Sequence, residues 1–132
     1  MSIFGKAFLA GVMIFAPSIG LVAVAEAQPP MRIGASASKT GAYAALGQNQ
    51  LRGYQLCAQH TNEKGGVLGR KLELVVEDDH SEAATAIRIY ERLITQEKVD
   101  LVLGPYGSPM AEPVANVTEK HRMPVQRARY ET

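Results

Sequence analysis

Between residues 31 and 125, short apolar runs alternate with longer stretches in which apolar side chains recur every third or fourth position. A period of two, or an unbroken β-branched run, marks a strand; a period of 3.6 marks a helix packed on one face. Met31–Ala37 (MRIGASA) reads as the first strand. It runs out in Ser38-Lys39-Thr40-Gly41, a loop of small and hydroxyl residues that continues to Gly47. From Gln48 the pattern turns helical, with Leu51, Tyr54, Ala58 and Thr61 on one face. Gly53 costs such a helix roughly 1 kcal/mol relative to Ala, which is tolerable where the helix lies close against a sheet. Gly65 is placed to be a left-handed cap.

Residues 71–77 (KLELVVE) alternate Leu72, Leu74 and Val76 with Lys71, Glu73 and Val75, the pattern of a strand near an edge. Residues 83–97 form the clearest helix, with a buried stripe of Ala83, Ala86, Ile87, Tyr90 and Ile94 and a wet face of Arg88, Glu91, Arg92 and Gln96. Residues 99–103 read as a buried parallel strand that breaks at Gly104-Pro105. A third helix is expected from Met110, with Val114 and Val117 inward and Pro113 within its first turn. Met123-Pro124-Val125 opens a fourth strand. Residues 126–132 then carry Arg127 and Arg129, which a central parallel strand should not. The apolar pattern thus collapses in the middle of an expected element.

The order β-α-β-α-β-α-(β) predicts an α/β fold with a doubly wound parallel sheet. Such sheets bind ligands at the carboxyl ends of their strands. This draws attention to Tyr106-Gly107-Ser108-Pro109, just beyond the third strand. Ser108 offers a hydroxyl, and the helix start after it offers free N–H groups and the positive end of the dipole, a site suited to a carboxylate. The plainer reading is that Ser108 is an N-cap with Pro109 at the first helical position, and the two readings are compatible.

The remaining chemistry narrows the function classes. Fourteen basic and thirteen acidic residues give a formal charge of +1, with no Trp and few aromatics, so nucleic-acid binding is not indicated. There is no GxGxxG after the first strand and no GxxxxGK[ST], so nucleotide binding lacks its signature and no cofactor is expected. Cys57 is single, which excludes an internal disulfide, and it falls in the first helix as a small core or boundary residue. His60, His80 and His121 lie in different segments without ligand spacing, so no metal site is expected. Glu77-Asp78-Asp79 at the second strand's end suits either a cation or acid–base pair, or a solvated turn in which Ser81 caps the next helix. Without a nucleophile–base pair or a second acidic motif, the turn is the preferred reading and catalysis is not expected.

Residues 1–27 read as an address. Lys6 is the only charge before Glu26, an apolar block spans residues 7–16, and Ala25-Glu26-Ala27 matches an A-x-A cleavage site. Pro17 and Gly20 interrupt what would otherwise be a marginal membrane anchor. Cleavage after Ala27 would leave an exported, soluble chain beginning at Gln28.

Several of these stretches together resemble a known family. IGAS and TGAYAALG in the first strand and loop, LRGYQL in the first helix, NEKGGVLGRKLELVVEDD, the AIRIYERLI helix and LVLGPYGS are similar to the N-terminal lobe of the periplasmic binding proteins that feed branched-chain amino acids to ABC importers. The resemblance implies an incomplete N-terminal lobe of a type I periplasmic binding protein at residues 28–125, followed by a divergent tail at 126–132. It implies a two-lobed, hinged, monomeric protein that holds a small solute, hands it to ABC permease subunits and catalyses nothing. It places Ser108, with Gly107 and Tyr106, at the ligand carboxylate, and Tyr43 and Leu46 at the ligand side chain. It does not make Asp78 or Asp79 ligand residues. The same architecture serves as a ligand-sensing receptor domain, and related proteins take aromatic acids or amides.

Overall fold

The computed structural model describes residues 28–126. The expected leader and its Ala25/Ala27 cleavage site, and residues 127–132 of the expected tail, lie outside the described residues.

Four strands, β1 (Met31–Ala37), β2 (Leu72–Asp78), β3 (Leu101–Leu103) and β4 (Val125–Gln126), form one parallel sheet in the order β2-β1-β3-β4. Three helices, α1 (Ala44–Glu63), α2 (Ala83–Thr95) and α3 (Ser108–Lys120), make the crossovers. The chain steps from β1 outward to β2, then back across β1 to β3. With right-handed crossovers, this reversal places α1 on one face and α2 and α3 on the other. Accordingly α1 packs on β1 and β2, while α2 packs on β1 and on α3. β2 is an edge strand, as its alternation predicts. Gln126, assigned from sequence to the tail, is the second residue of β4 and pairs with Leu103.

The core lies between the sheet, α2 and α3: Tyr90, Leu93, Val102, Met110 and Val114 are essentially inaccessible. Because α2 is wedged between sheet and α3, its buried arc is wider than the expected stripe. Ile89 and Leu93 join Ala86 and Tyr90 inside, while Ala83, Ile87 and Ile94 flank them half-buried. α3 buries Val114 and Val117 as expected, along with Met110, Ala115 and Thr118.

Three local expectations are corrected. Helix α1 begins at Ala44, not Gln48: the Ala44 N–H reaches the Gly41 carbonyl at 3.2 Å and the Gly47 N–H reaches the Tyr43 carbonyl at 2.8 Å. The glycine of close approach is Gly47, where a Cβ would stand 2.3 Å from the Ser38 carbonyl oxygen, whereas Gly53 faces open space. Pro113 sits in the interior of α3, because that helix starts at Ser108 rather than Met110. Gly65 does take the left-handed conformation after α1, at φ +99°.

Candidate functional site

Two tyrosines mark where the sheet opens. The β1–β3 ladder ends at the Ala35–Leu103 pair, because Gly104-Pro105 cannot continue the strand. The next N–H on β1, that of Ser36, donates instead to the Tyr90 hydroxyl at 3.2 Å, and that hydroxyl donates to the Leu103 carbonyl. Burial pushes the Tyr90 hydroxyl pKa above its ordinary value, so it stays a donor. From the opposite face, Tyr54 Oη and Gln50 Nε2 of α1 donate to the Gly104 carbonyl at 2.9 and 3.3 Å. β1 and β3 are the strands where the sheet order reverses, so the split falls at the topological switch point, where open α/β sheets hold ligands.

The loops after β1 and β3 converge above this split. The Tyr43 and Tyr106 rings are 6.4 Å apart between centroids and tilted by 50°, within the range of a favourable aromatic contact. Leu46, in the first turn of α1, is 45% exposed.

Ser108 is not the N-cap. Gly107 holds that position at φ 79° and ψ 147°, a conformation open to Gly and costly for other residues, and no side chain caps the helix. Ser108 is the first helical residue and Pro109 the second. The Gly107 carbonyl accepts from the Met110 and Ala111 N–H groups at 3.1 and 2.9 Å. The Ser108 N–H thus belongs to the helix's unsatisfied first turn. Its side chain is exposed, so hydroxyl, N–H and helix dipole are jointly available to an anion.

The acidic pair is not a solvated turn. Asp79 is fully buried, with Oδ2 accepting from Ser36 Oγ at 2.7 Å and Oδ1 from Ser38 Oγ at 2.6 Å and the Ser81 N–H at 3.0 Å. A carboxyl group removed from water is tolerated only when it is hydrogen-bonded in this way. Ser81 does not cap α2, whose N-cap is Glu82. The Ser81 hydroxyl instead accepts the Tyr43 N–H at 3.0 Å and donates to the Thr40 carbonyl at 2.8 Å.

Asp78 Oδ1 accepts from the Lys39 and His80 N–H groups, each at 2.9 Å, and Oδ2 accepts from Thr40 Oγ1 at 2.9 Å. Burial raises the Asp78 pKa, but the bonds from His80, Thr40 and Lys39 outweigh it and hold the carboxyl below its ordinary value.

Thr40, His80 and Asp78 look superficially like a hydroxyl–imidazole–carboxylate relay. Thr40 Oγ1 and Asp78 Oδ2 both meet the same ring nitrogen of His80, Nδ1, at 2.7 and 3.2 Å. A relay needs the two ring nitrogens to serve different partners, so this cluster is loop scaffolding. Among the described residues no group of three or more His, Cys, Asp or Glu is gathered to hold a metal ion.

Sequence reasoning placed Tyr43, Tyr106, Gly107 and Ser108 at one end of the sheet, and the structure brings the two loops that carry them together. It gave Asp79 and Ser81 to a solvated turn and Tyr54 and Tyr90 to helix packing faces, and it missed Ser36 and Ser38; in the structure the four polar residues shape the first loop and the two tyrosine hydroxyls hold the split. The only available signal was S-x-S at a strand end together with an acid at the end of the neighbouring strand.

The sequence profile of the periplasmic binding proteins matches residues 30–128. An amino acid binding protein of Pseudomonas aeruginosa is 31% identical over 87% of this chain and 31% of its own length. The Leu/Ile/Val-binding protein of Escherichia coli K12 is 28% identical over 90% of this chain and 31% of its own. Among solved structures, the branched-chain amino acid transporter substrate-binding protein of Streptococcus pneumoniae, in complex with isoleucine, superposes with a TM-score of 0.71 at 32% identity, over 74% of this chain and 28% of that one. A fatty acid ABC transporter substrate-binding protein of Thermomonospora curvata superposes at 0.65 with 30% identity, over 77% of this chain and 26% of that one. The chain therefore spans under a third of the length of these relatives. Its sheet order, its split between β1 and β3 and this match over most of its length agree: the chain belongs to the periplasmic binding protein family.

Proposed function

We propose that this chain is an N-terminal lobe portion of the substrate-binding component of an ABC importer for branched-chain or other hydrophobic amino acids. It works in the periplasm after loss of a leader at residues 1–27, and delivers its solute to membrane permease subunits. Ser108, through its hydroxyl and N–H at the start of α3, receives the solute carboxylate. Tyr43, Tyr106 and Leu46 line the side-chain end, and Gly107 permits the turn that presents Ser108. The family's role is solute capture rather than catalysis.

The observation that carries the reading is the convergence of the Tyr43 and Tyr106 loops at the switch point, beside a serine whose hydroxyl the helix does not use. One similar structure is a complex with isoleucine and another is named for fatty acid transport, and both solutes are a carboxylate on an apolar body.

Calorimetric titration of the purified chain with isoleucine, leucine, a short fatty acid, an aromatic acid and a polar amide tests it. Apolar carboxylates should bind, and Ser108→Ala should weaken them about five-fold, the worth of one hydrogen bond. Binding confined to polar amides, or indifferent to Ser108→Ala, would overturn it.

A further inference from the structure

We propose that Asp79 is a positioning residue for the solute site, acting through Ser81 on Tyr43. The inference rests on the solute reading of Tyr43 and Tyr106 given above, and adds the device that holds the first of them in place.

Asp79 lies at the start of the β2–α2 connection yet binds the end of β1 through Ser36 and Ser38, more than forty positions away. Its Oδ1 also fixes the Ser81 N–H at 3.0 Å. Ser81 stands at φ 62° directly after His80 at φ 55°, two successive residues in the left-handed region that is uncommon outside glycine. Such a conformation persists when its surroundings over-determine it. Here the conformation aims the Ser81 hydroxyl at the first loop, where it accepts the Tyr43 N–H and donates to the Thr40 carbonyl. Tyr43 is the residue immediately before α1, and its ring meets Tyr106. The helix itself is set against the same strap, because Gly47 seats its first turn on the Ser38 backbone. One buried carboxyl group thereby ties the end of β1, the β2–α2 turn and the backbone of Tyr43 into one unit.

Nuclear magnetic resonance of the isotope-labelled chain tests the inference without solute. In the unmodified chain the Tyr43 N–H should exchange more slowly than that of its neighbour Ala42. Ser81→Ala keeps every bond to Asp79 and removes only the hydroxyl. It should speed Tyr43 exchange about five-fold and shift the Tyr43 and Tyr106 ring signals, leaving the amides of β1 and β3 in place. Asp79→Asn, of nearly the same shape, should reproduce the Tyr43 signature. Isoleucine affinity should fall about five-fold in Ser81→Ala.

Equal exchange at Tyr43 and Ala42 in the unmodified chain would overturn the proposal, as would unmoved tyrosine signals in Ser81→Ala. Displacements through β1 and β3 as large as those at Tyr43 would also overturn it, since Asp79 would then be holding the sheet rather than the loop. So would displaced rings with unchanged affinity. An unmodified chain that binds no solute would overturn the solute reading instead, and the exchange and ring measurements would still decide the positioning of Tyr43.

Discussion

Ser108 and Gly107 divide a task that sequence statistics assign to one residue. A serine two positions before Met110 is a natural N-cap, but the cap is a glycine whose backbone conformation few other residues tolerate. Ser108→Ala should therefore change unfolding stability by no more than about 0.5 kcal/mol, measured by urea denaturation, while a true N-cap would lose about 1 kcal/mol. Gly47 is the opposite case. A methyl group there meets the Ser38 backbone at 2.3 Å, and backbone cannot move aside as a flexible side chain can. Gly47→Ala should destabilise the chain by about 1–3 kcal/mol in the same measurement, whereas Gly53→Ala, facing open space, should stabilise it by up to about 1 kcal/mol. Nothing in the sequence distinguishes these two glycines, because the difference lies in which face of α1 meets a loop folded back from β1.

The strands were the legible elements. β1 and the edge character of β2 follow from apolar runs and alternation, since each residue's neighbours along the strand report its face. The start of α1 was not legible: Ala44, Ala45 and Gly47 are too small to show a helical period. The loops were misread for another reason. Asp78, Asp79 and Ser81 are polar and close together, which in one dimension signals water, but their partners Ser36, Ser38 and Thr40 lie about forty residues earlier. Only the parallel pairing of β1 with β2 brings the two loops side by side.

Asp78 gives that junction a pH dependence. Its folded-state pKa lies below the ordinary carboxylate value, so its contribution to stability is present above the unfolded pKa, about 4. The contribution is lost as pH falls from there through the folded value. Thermal unfolding recorded from pH 7 downward should show a fall below about pH 4, and Asp78→Asn should flatten that limb. An unchanged limb would mean that other carboxyl groups govern acid unfolding.

At the scale of the whole molecule, the two faces of the sheet are covered unequally. α2 and α3 close one side around Tyr90 and Val102, whereas on the other, among the described residues, α1 packs mainly on β1 and β2. An apolar cavity of about 260 Å³ remains beside β3, lined by Ile33, Tyr54, Cys57, Leu74 and Leu103 among others. Cys57, expected from sequence to be a core or boundary residue, is exposed at this cavity. It should react with a thiol reagent in the native chain without prior unfolding; slow reaction that tracks global unfolding would show the cavity to be closed in solution.

The central claim is that the two loops meeting at the switch point receive an apolar carboxylate. The most direct test is a resonance titration of the labelled 132-residue chain with isoleucine. The account predicts saturable shifts concentrated at Tyr43, Tyr106, Gly107 and Ser108, weakened by Ser108→Ala. Shifts absent from these four residues, or centred on the cavity beside Cys57, would contradict it.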